Sequence, residues 1–139
     1  MKQKIISTPV LEILDLRQPF EIQTDASDYA MGAVLMQHGK PISFHSENFN
    51  GVVTKYPTYD KELYALVQSV NKWKHYLMGK KTIIHTDHQP LQYLQSQSKL
   101  QQSRHFRWMG FLQQFHLVIR YKKGIYSKVV DMISRPIVN

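Results

Sequence analysis

Four acidic residues in this chain stand where carboxylates could do chemistry. Asp25 closes the alternating run Phe20-Glu21-Ile22-Gln23-Thr24, just before the polar stretch Ala26-Ser27-Asp28, and an apolar run resumes at Ala33–Met36. That pattern predicts two strands joined by a tight turn, with Asp25 at the end of the first. Asp87 closes a second run, Lys81-Thr82-Ile83-Ile84-His85-Thr86. Glu62 falls near the start of a helical pattern, and Asp131 in a short terminal one. Hard divalent cations prefer oxygen ligands, and two such ions held by carboxylates can clamp an in-line phosphoryl displacement. Taken singly, each acid has an ordinary explanation. Asp25 suits a turn, where its side chain bonds nearby backbone N–H groups, and Glu62 suits the positive end of a helix. Chemistry requires that the chain bring the four together.

The elements that must position them can be read from periodicity. Strands are expected at about 20–25, 30–37 and 41–47, with Gly39 turning the second into the third, which makes an antiparallel meander. A helix follows, with Thr58 placed to cap it, Asp60 and Glu62 near its start, and Lys72, Lys74 and His75 before the closing Gly79. Tyr59, Leu63, Leu66, Val70, Trp73 and Leu77 form its apolar stripe, and Glu62 sits at the edge of that stripe. A helix of this length is a crossover, so the strand at 81–87 should run parallel to an earlier one. If its neighbour is the first strand, Asp25 and Asp87 lie side by side at two carboxyl ends. Open α/β sheets place their sites there.

Beyond it, Pro90 marks a helix start, and two short helices are expected between Gln89 and Gln114, broken around Gln97-Ser98-Lys99. Leu91, Leu94, Trp108, Phe111 and Leu112 should face the core. Lys99, Arg104, His105 and Arg107 give the second of these helices a basic opening, which is either a solvated face or a phosphate contact. His116–Tyr121 reads as a fifth strand. Lys122-Lys123-Gly124 then turns the chain into a terminal helix bearing Val129, Asp131 and Ile133, stopped by Pro136. Lys122 and Lys123 add to the candidate phosphate contacts. His85 reads as a strand residue packed in the sheet and His88 as a loop cap, and neither is assigned to a metal, since histidine sites need converging partners.

Composition sets the outer limits. The chain has 139 residues, enough for one domain with a single substantial core, and 42% of them are hydrophobic. Its net charge of +8 makes polyanions the first partners to expect. Cysteine is absent, which excludes disulfides and thiolate metal sites and fits a reducing compartment. No apolar stretch approaches the roughly 20 residues of a membrane helix, so no membrane partner is expected.

In order along the chain, the motifs are Thr24-Asp25-Ala26-Ser27 with Gly32-Ala33-Val34-Leu35, then Tyr59-Asp60-Lys61-Glu62-Leu63-Tyr64-Ala65. Thr86-Asp87-His88-Gln89-Pro90-Leu91 and Val130-Asp131-Met132-Ile133-Ser134-Arg135 follow. Together they resemble the ribonuclease H domain of reverse transcriptases from gypsy-class long-terminal-repeat retrotransposons, with wording closest to plant elements. The resemblance runs from about Pro9 to Pro136. It implies that residues 1–19 are a lead-in from the connection region and that residues 20–139 form the ribonuclease H-like domain. The implied fold is α/β, a five-stranded mixed sheet of order 3-2-1-4-5 with helices on both faces.

The implied activity is endonucleolytic hydrolysis of the RNA strand of RNA–DNA hybrids during reverse transcription, using two Mg²⁺ ions for which Mn²⁺ can substitute. Asp25, Glu62, Asp87 and Asp131 occupy the family's catalytic, metal-binding positions. By the same resemblance, one ion is held chiefly by Asp25, Glu62 and Asp87 and activates water, and the other, held by Asp25 and Asp131, stabilises the leaving 3′-oxygen. The implied partners are the hybrid and the preceding polymerase and connection domains. The implied location is intracellular, in a cytoplasmic virus-like particle or the nucleus. The chain departs from the family pattern near Asp131. No histidine occurs in Lys122–Lys128, and Ser127, Val130 and Ile133 replace the usual Asn, Ala and Leu. These departures keep an alternative open: a catalytically weakened nucleic-acid-binding module left from a decayed polyprotein.

Overall fold

The computed structural model describes residues 6–7, 18–96 and 102–123. Strand β1 (Phe20–Ala26) alternates buried Phe20, Ile22 and Thr24 with half-buried Glu21, Gln23 and Asp25, as a strand with one face on a core should. Ser27 makes the turn to β2 (Ala30–Gln37). Its Oγ accepts the N–H groups of Tyr29 and Ala30, both at 3.1 Å, and its N–H donates to the Ala30 carbonyl at 2.8 Å. The next turn, into β3 (Lys40–Asn48), places His38 at φ 58° and Gly39 at φ 74°. Two consecutive left-handed residues match the twist of a two-residue hairpin, and glycine takes one of them without strain.

Helix α1 (Thr58–Lys72) carries the chain back across the sheet, with Leu63, Leu66 and Val70 fully buried on its inner face. The chain then enters β4 (Lys81–Thr86), helix α3 (Ser103–Leu112) and β5 (His116–Tyr121), with a short α2 (Lys74–Leu77) between α1 and β4. β4 runs parallel to both β1 and β5, while β1, β2 and β3 are antiparallel neighbours. The five strands therefore take the expected order 3-2-1-4-5. An unexpected addition is Ile6–Ser7, which pairs antiparallel with β3 outside this set and so joins part of the expected lead-in to the sheet.

Two local expectations are corrected. The single helix ending at Gly79 is broken at Trp73, whose φ of −111° ends α1, and its indole N–H donates to Ser43 Oγ on β3 at 3.3 Å. The cap position of α1 belongs to Pro57, with Thr58 the first helical residue and no side-chain cap bond. The two short helices expected between Gln89 and Gln114 are present, the first as a 3₁₀ helix over Gln89–Ser96 and the second as α3, with Leu91 buried as expected. The expected terminal helix with Val129, Asp131 and Ile133 lies outside the described residues.

The core joins Phe20, Ile22, Leu35, Leu66, Val70 and Ile84 between the sheet and α1. Leu66→Ala should lower stability by about 2–5 kcal/mol, because a fully buried leucine leaves a cavity that close-packed neighbours refill only in part. Urea unfolding should show a lower midpoint at an unchanged slope.

Candidate metal centre

The parallel pairing of β1 with β4, in register from Phe20↔Thr82 to Gln23↔His85, brings their carboxyl ends out together. Asp25 is the penultimate residue of β1, and Asp87 directly follows β4. Glu62, in the second turn of α1, meets them from the helix side. One carboxylate oxygen each from Asp25, Glu62 and Asp87 lies within 4.8 Å of the others. Asp87 is exposed, Asp25 half-buried and Glu62 buried. The juxtaposition expected for Asp25, Glu62 and Asp87 is therefore present, while Asp131 lies outside the described residues.

Gathering three acids in this way is electrostatically unfavourable. Burial, with the charges of Asp25 and Asp87 added, pushes the Glu62 carboxyl up to about 9. Burial, reinforced by Asp87, raises Asp25 to about 6, and the 2.8 Å hydrogen bond from the Ala26 N–H to Asp25 Oδ1 offsets only part of this. Among the described residues, buried Glu62 Oε1 has no hydrogen-bond partner. Three clustered acids are a set of hard oxygen donors whose mutual repulsion a cation would relieve. That chemistry fits Mg²⁺ or Mn²⁺ and does not call for nitrogen or sulfur ligands.

The neighbouring histidines are held elsewhere. His85 Nε2 lies 2.7 Å from Glu21 Oε1 within the sheet. His88 donates its backbone N–H to Thr86 Oγ1 at 3.1 Å and rests its ring against Tyr59, with centroids 6.1 Å apart. Burial holds the His88 imidazole below its usual pKa despite the Asp87 charge.

Of the expected phosphate contacts, Arg107, Lys122 and Lys123 are exposed. The Lys122 N–H donates to the Thr86 carbonyl at 2.8 Å, which puts this basic pair next to the end of β4 and Asp87. Lys99 lies outside the described residues. Arg104 has a task within the fold: its Nε donates to Asp60 Oδ2 at 2.7 Å and its Nη2 to the same oxygen. His105 Nε2 reaches that oxygen at 3.0 Å. By sequence Asp60 is simply an acid near the start of a helix. Its partners lie 44 and 45 residues away, so no local pattern could have announced them.

Residues 15–115 match the family described as the RNase H-like domain found in reverse transcriptase. Over 135 residues, 97% of its length, the chain is 39% identical to the retrovirus-related Pol polyprotein from transposon 297 of Drosophila melanogaster. It is 35% identical over 145 residues to the transposon Tf2-3 polyprotein of Schizosaccharomyces pombe. The chain spans 13% and 11% of the lengths of these two relatives. Among solved structures, its fold resembles that of a foamy viral protease-reverse transcriptase in complex with double-stranded DNA. The TM-score is 0.70 at 21% identity, covering 84% of this chain and 26% of that one. It also resembles LC11-RNase H1 in complex with an RNA/DNA hybrid, with a TM-score of 0.59 at 13% identity, covering 76% and 86%. With the family match spanning most of the sequence, the chain belongs to the RNase H-like domains of reverse transcriptases.

Proposed function

We propose that this chain cleaves the RNA strand of RNA–DNA hybrids, as the ribonuclease H of a gypsy-class retrotransposon reverse transcriptase, beside preceding polymerase and connection domains. The observation that carries this reading is the convergence of Asp25, Glu62 and Asp87 within 4.8 Å at two parallel strand ends. The named retrotransposon polyproteins among its relatives, and a hybrid-bound structure among its fold neighbours, support it.

Asp25, Glu62 and Asp87, with Asp131 from the terminal segment, would hold two Mg²⁺ ions. When bound, such ions polarise a phosphoryl oxygen and lower the pKa of water. The chain's own residues divide the remaining work by exposure. Exposed Asp87 and half-buried Asp25 would be open to an approaching phosphate, whereas Glu62 is buried within the fold. Arg107, Lys122 and Lys123 offset the repulsion between the acids and a polyanionic backbone, and the 2′-hydroxyl distinguishes the RNA strand.

Charge reversal at Arg107, Lys122 and Lys123 should weaken hybrid binding at least about tenfold at 0.1 M salt and flatten its salt dependence by about one log unit per lost contact. Fluorescence anisotropy across a salt series measures both. Function itself is tested with strand-labelled hybrid, duplex RNA and duplex DNA in Mg²⁺ or Mn²⁺. The reading predicts cleavage of the hybrid's RNA strand alone and its loss in EDTA. Tight binding with no cleavage in either metal would establish the catalytically weakened binding module instead.

A further inference from the structure

Three consecutive residues near the start of α1 reach three different elements. Asp60, 4% exposed, turns to α3, where its Oδ2 accepts the Arg104 Nε at 2.7 Å, the Arg104 Nη2, and the His105 Nε2 at 3.0 Å. The Gln102 N–H donates to His105 Nδ1 at 3.3 Å, which leaves the imidazole proton on Nε2, facing Asp60. Arg104 is itself braced, its guanidinium carbon 4.3 Å from the centre of the Tyr56 ring. Lys61, 8% exposed, turns the other way. Its Nζ donates to the Asp28 carbonyl at 3.0 Å, in the turn three residues past Asp25, and lies 5.9 Å from the centre of the Phe49 ring. Glu62 then enters the acid cluster.

These ties matter because α1 begins without a side-chain cap, so its first turn is not held by local bonds of that kind. Glu62 in its ionised form, the one that would ligate a cation, is repelled by the two neighbouring carboxylates. A helix start free to shift would move Glu62 away from them. Charge-assisted bonds donated to a buried carboxylate, and from a buried ammonium to a carbonyl, are strong enough to resist that.

We propose that Asp60 and Lys61 are positioning residues for the metal centre, bracing the start of α1 between α3 and the β1–β2 turn so that Glu62 is held against Asp25 and Asp87. The inference rests on reading the acids as a divalent-cation site, and a supporting shell of this kind commonly sets metal affinity.

The test is Mn²⁺ titration of the full chain, with free Mn²⁺ followed by electron paramagnetic resonance and the fold checked by circular dichroism at the same temperature. Asp60→Asn and Lys61→Met should each weaken Mn²⁺ binding by about tenfold. Lys61→Arg should restore it to within about threefold, and Leu66→Ala, which destabilises without touching the brace, should bind like the unmutated chain. Folded Asp60→Asn and Lys61→Met proteins that bind Mn²⁺ normally would overturn the inference, as would equal weakening by Leu66→Ala. Loss of the fold in both variants would also overturn it, since the ties would then serve the whole domain. Failure of the unmutated chain to bind Mn²⁺ would remove the metal reading itself, an outcome distinct from equal binding by all variants.

Discussion

Asp87→Asn should leave the hybrid bound and uncut. The substitution keeps the size and shape of the side chain and removes one anionic oxygen donor from the cluster. Asp87 is exposed, so the fold does not depend on burying it, and the variant separates chemistry from stability better than any change at buried Glu62. A lost carboxylate ligand removes stabilisation that is needed as charge develops on the phosphate, a contribution of about 4 kcal/mol, or about a thousandfold in rate. Ground-state binding should stay within about twofold, or tighten slightly, because one negative charge near the phosphates has gone. Single-turnover kinetics and anisotropy on the same preparation measure the two effects. A parallel loss of affinity and rate would show that Asp87 acts in binding rather than in the transition state.

The second large effect is on stability in EDTA. Asp25 and Glu62 hold their protons more tightly in the folded chain than their ordinary values of 3.8 and 4.5. Their contribution is therefore greatest below those values. It is lost as pH rises, through about 6 for Asp25 and about 9 for Glu62. Two other groups shift the opposite way. Glu47, lowered chiefly by its hydrogen bond with His45, stabilises above its ordinary 4.5, and His88, lowered by burial, stabilises above its ordinary 6.5.

Between about pH 7.5 and 9 both of those contributions are constant and Glu62 dominates. Over that window the metal-free chain should lose about 2 kcal/mol, or about 8 °C in Tm. Glu62→Gln should remove the slope, and saturating Mg²⁺ should abolish it by binding the ionised cluster. A metal-free Tm that is flat or rising from about pH 7.5 to 9 would contradict the crowding of these carboxyls.

Both effects concern residues that the sequence exposes to a reader, for physical reasons that can be named. Asp25 and Asp87 each end an alternating strand pattern, and a crossover helix between two strands makes them parallel. Connection rules make β4 parallel to an earlier strand without saying which, and the place beside β1 is what the family resemblance adds. Glu62 is legible through its place at the edge of the α1 stripe. The break at Trp73 is not, because the apolar stripe continues through it to Leu77, and what interrupts the helix lies beside a tertiary bond to Ser43 on β3. Thr58 is a good cap by residue type, yet Pro57 fixes the start of α1 one residue earlier. Arg104 shows only its charge in the sequence, and its bond to Asp60 is a long-range contact with no periodic signature. The pairing of Ile6–Ser7 with β3 was hidden for a similar reason, since two residues carry too little pattern to mark a strand.

The central claim, that the acids of β1, α1 and β4 form a divalent-cation centre, is tested most directly by anomalous scattering from crystals grown in Mn²⁺. The account predicts a peak bounded by the carboxylates of Asp25, Glu62 and Asp87, with metal–oxygen distances of about 2.1–2.2 Å. Peaks elsewhere on the surface, with these three carboxylates free of metal at saturating Mn²⁺, would contradict it.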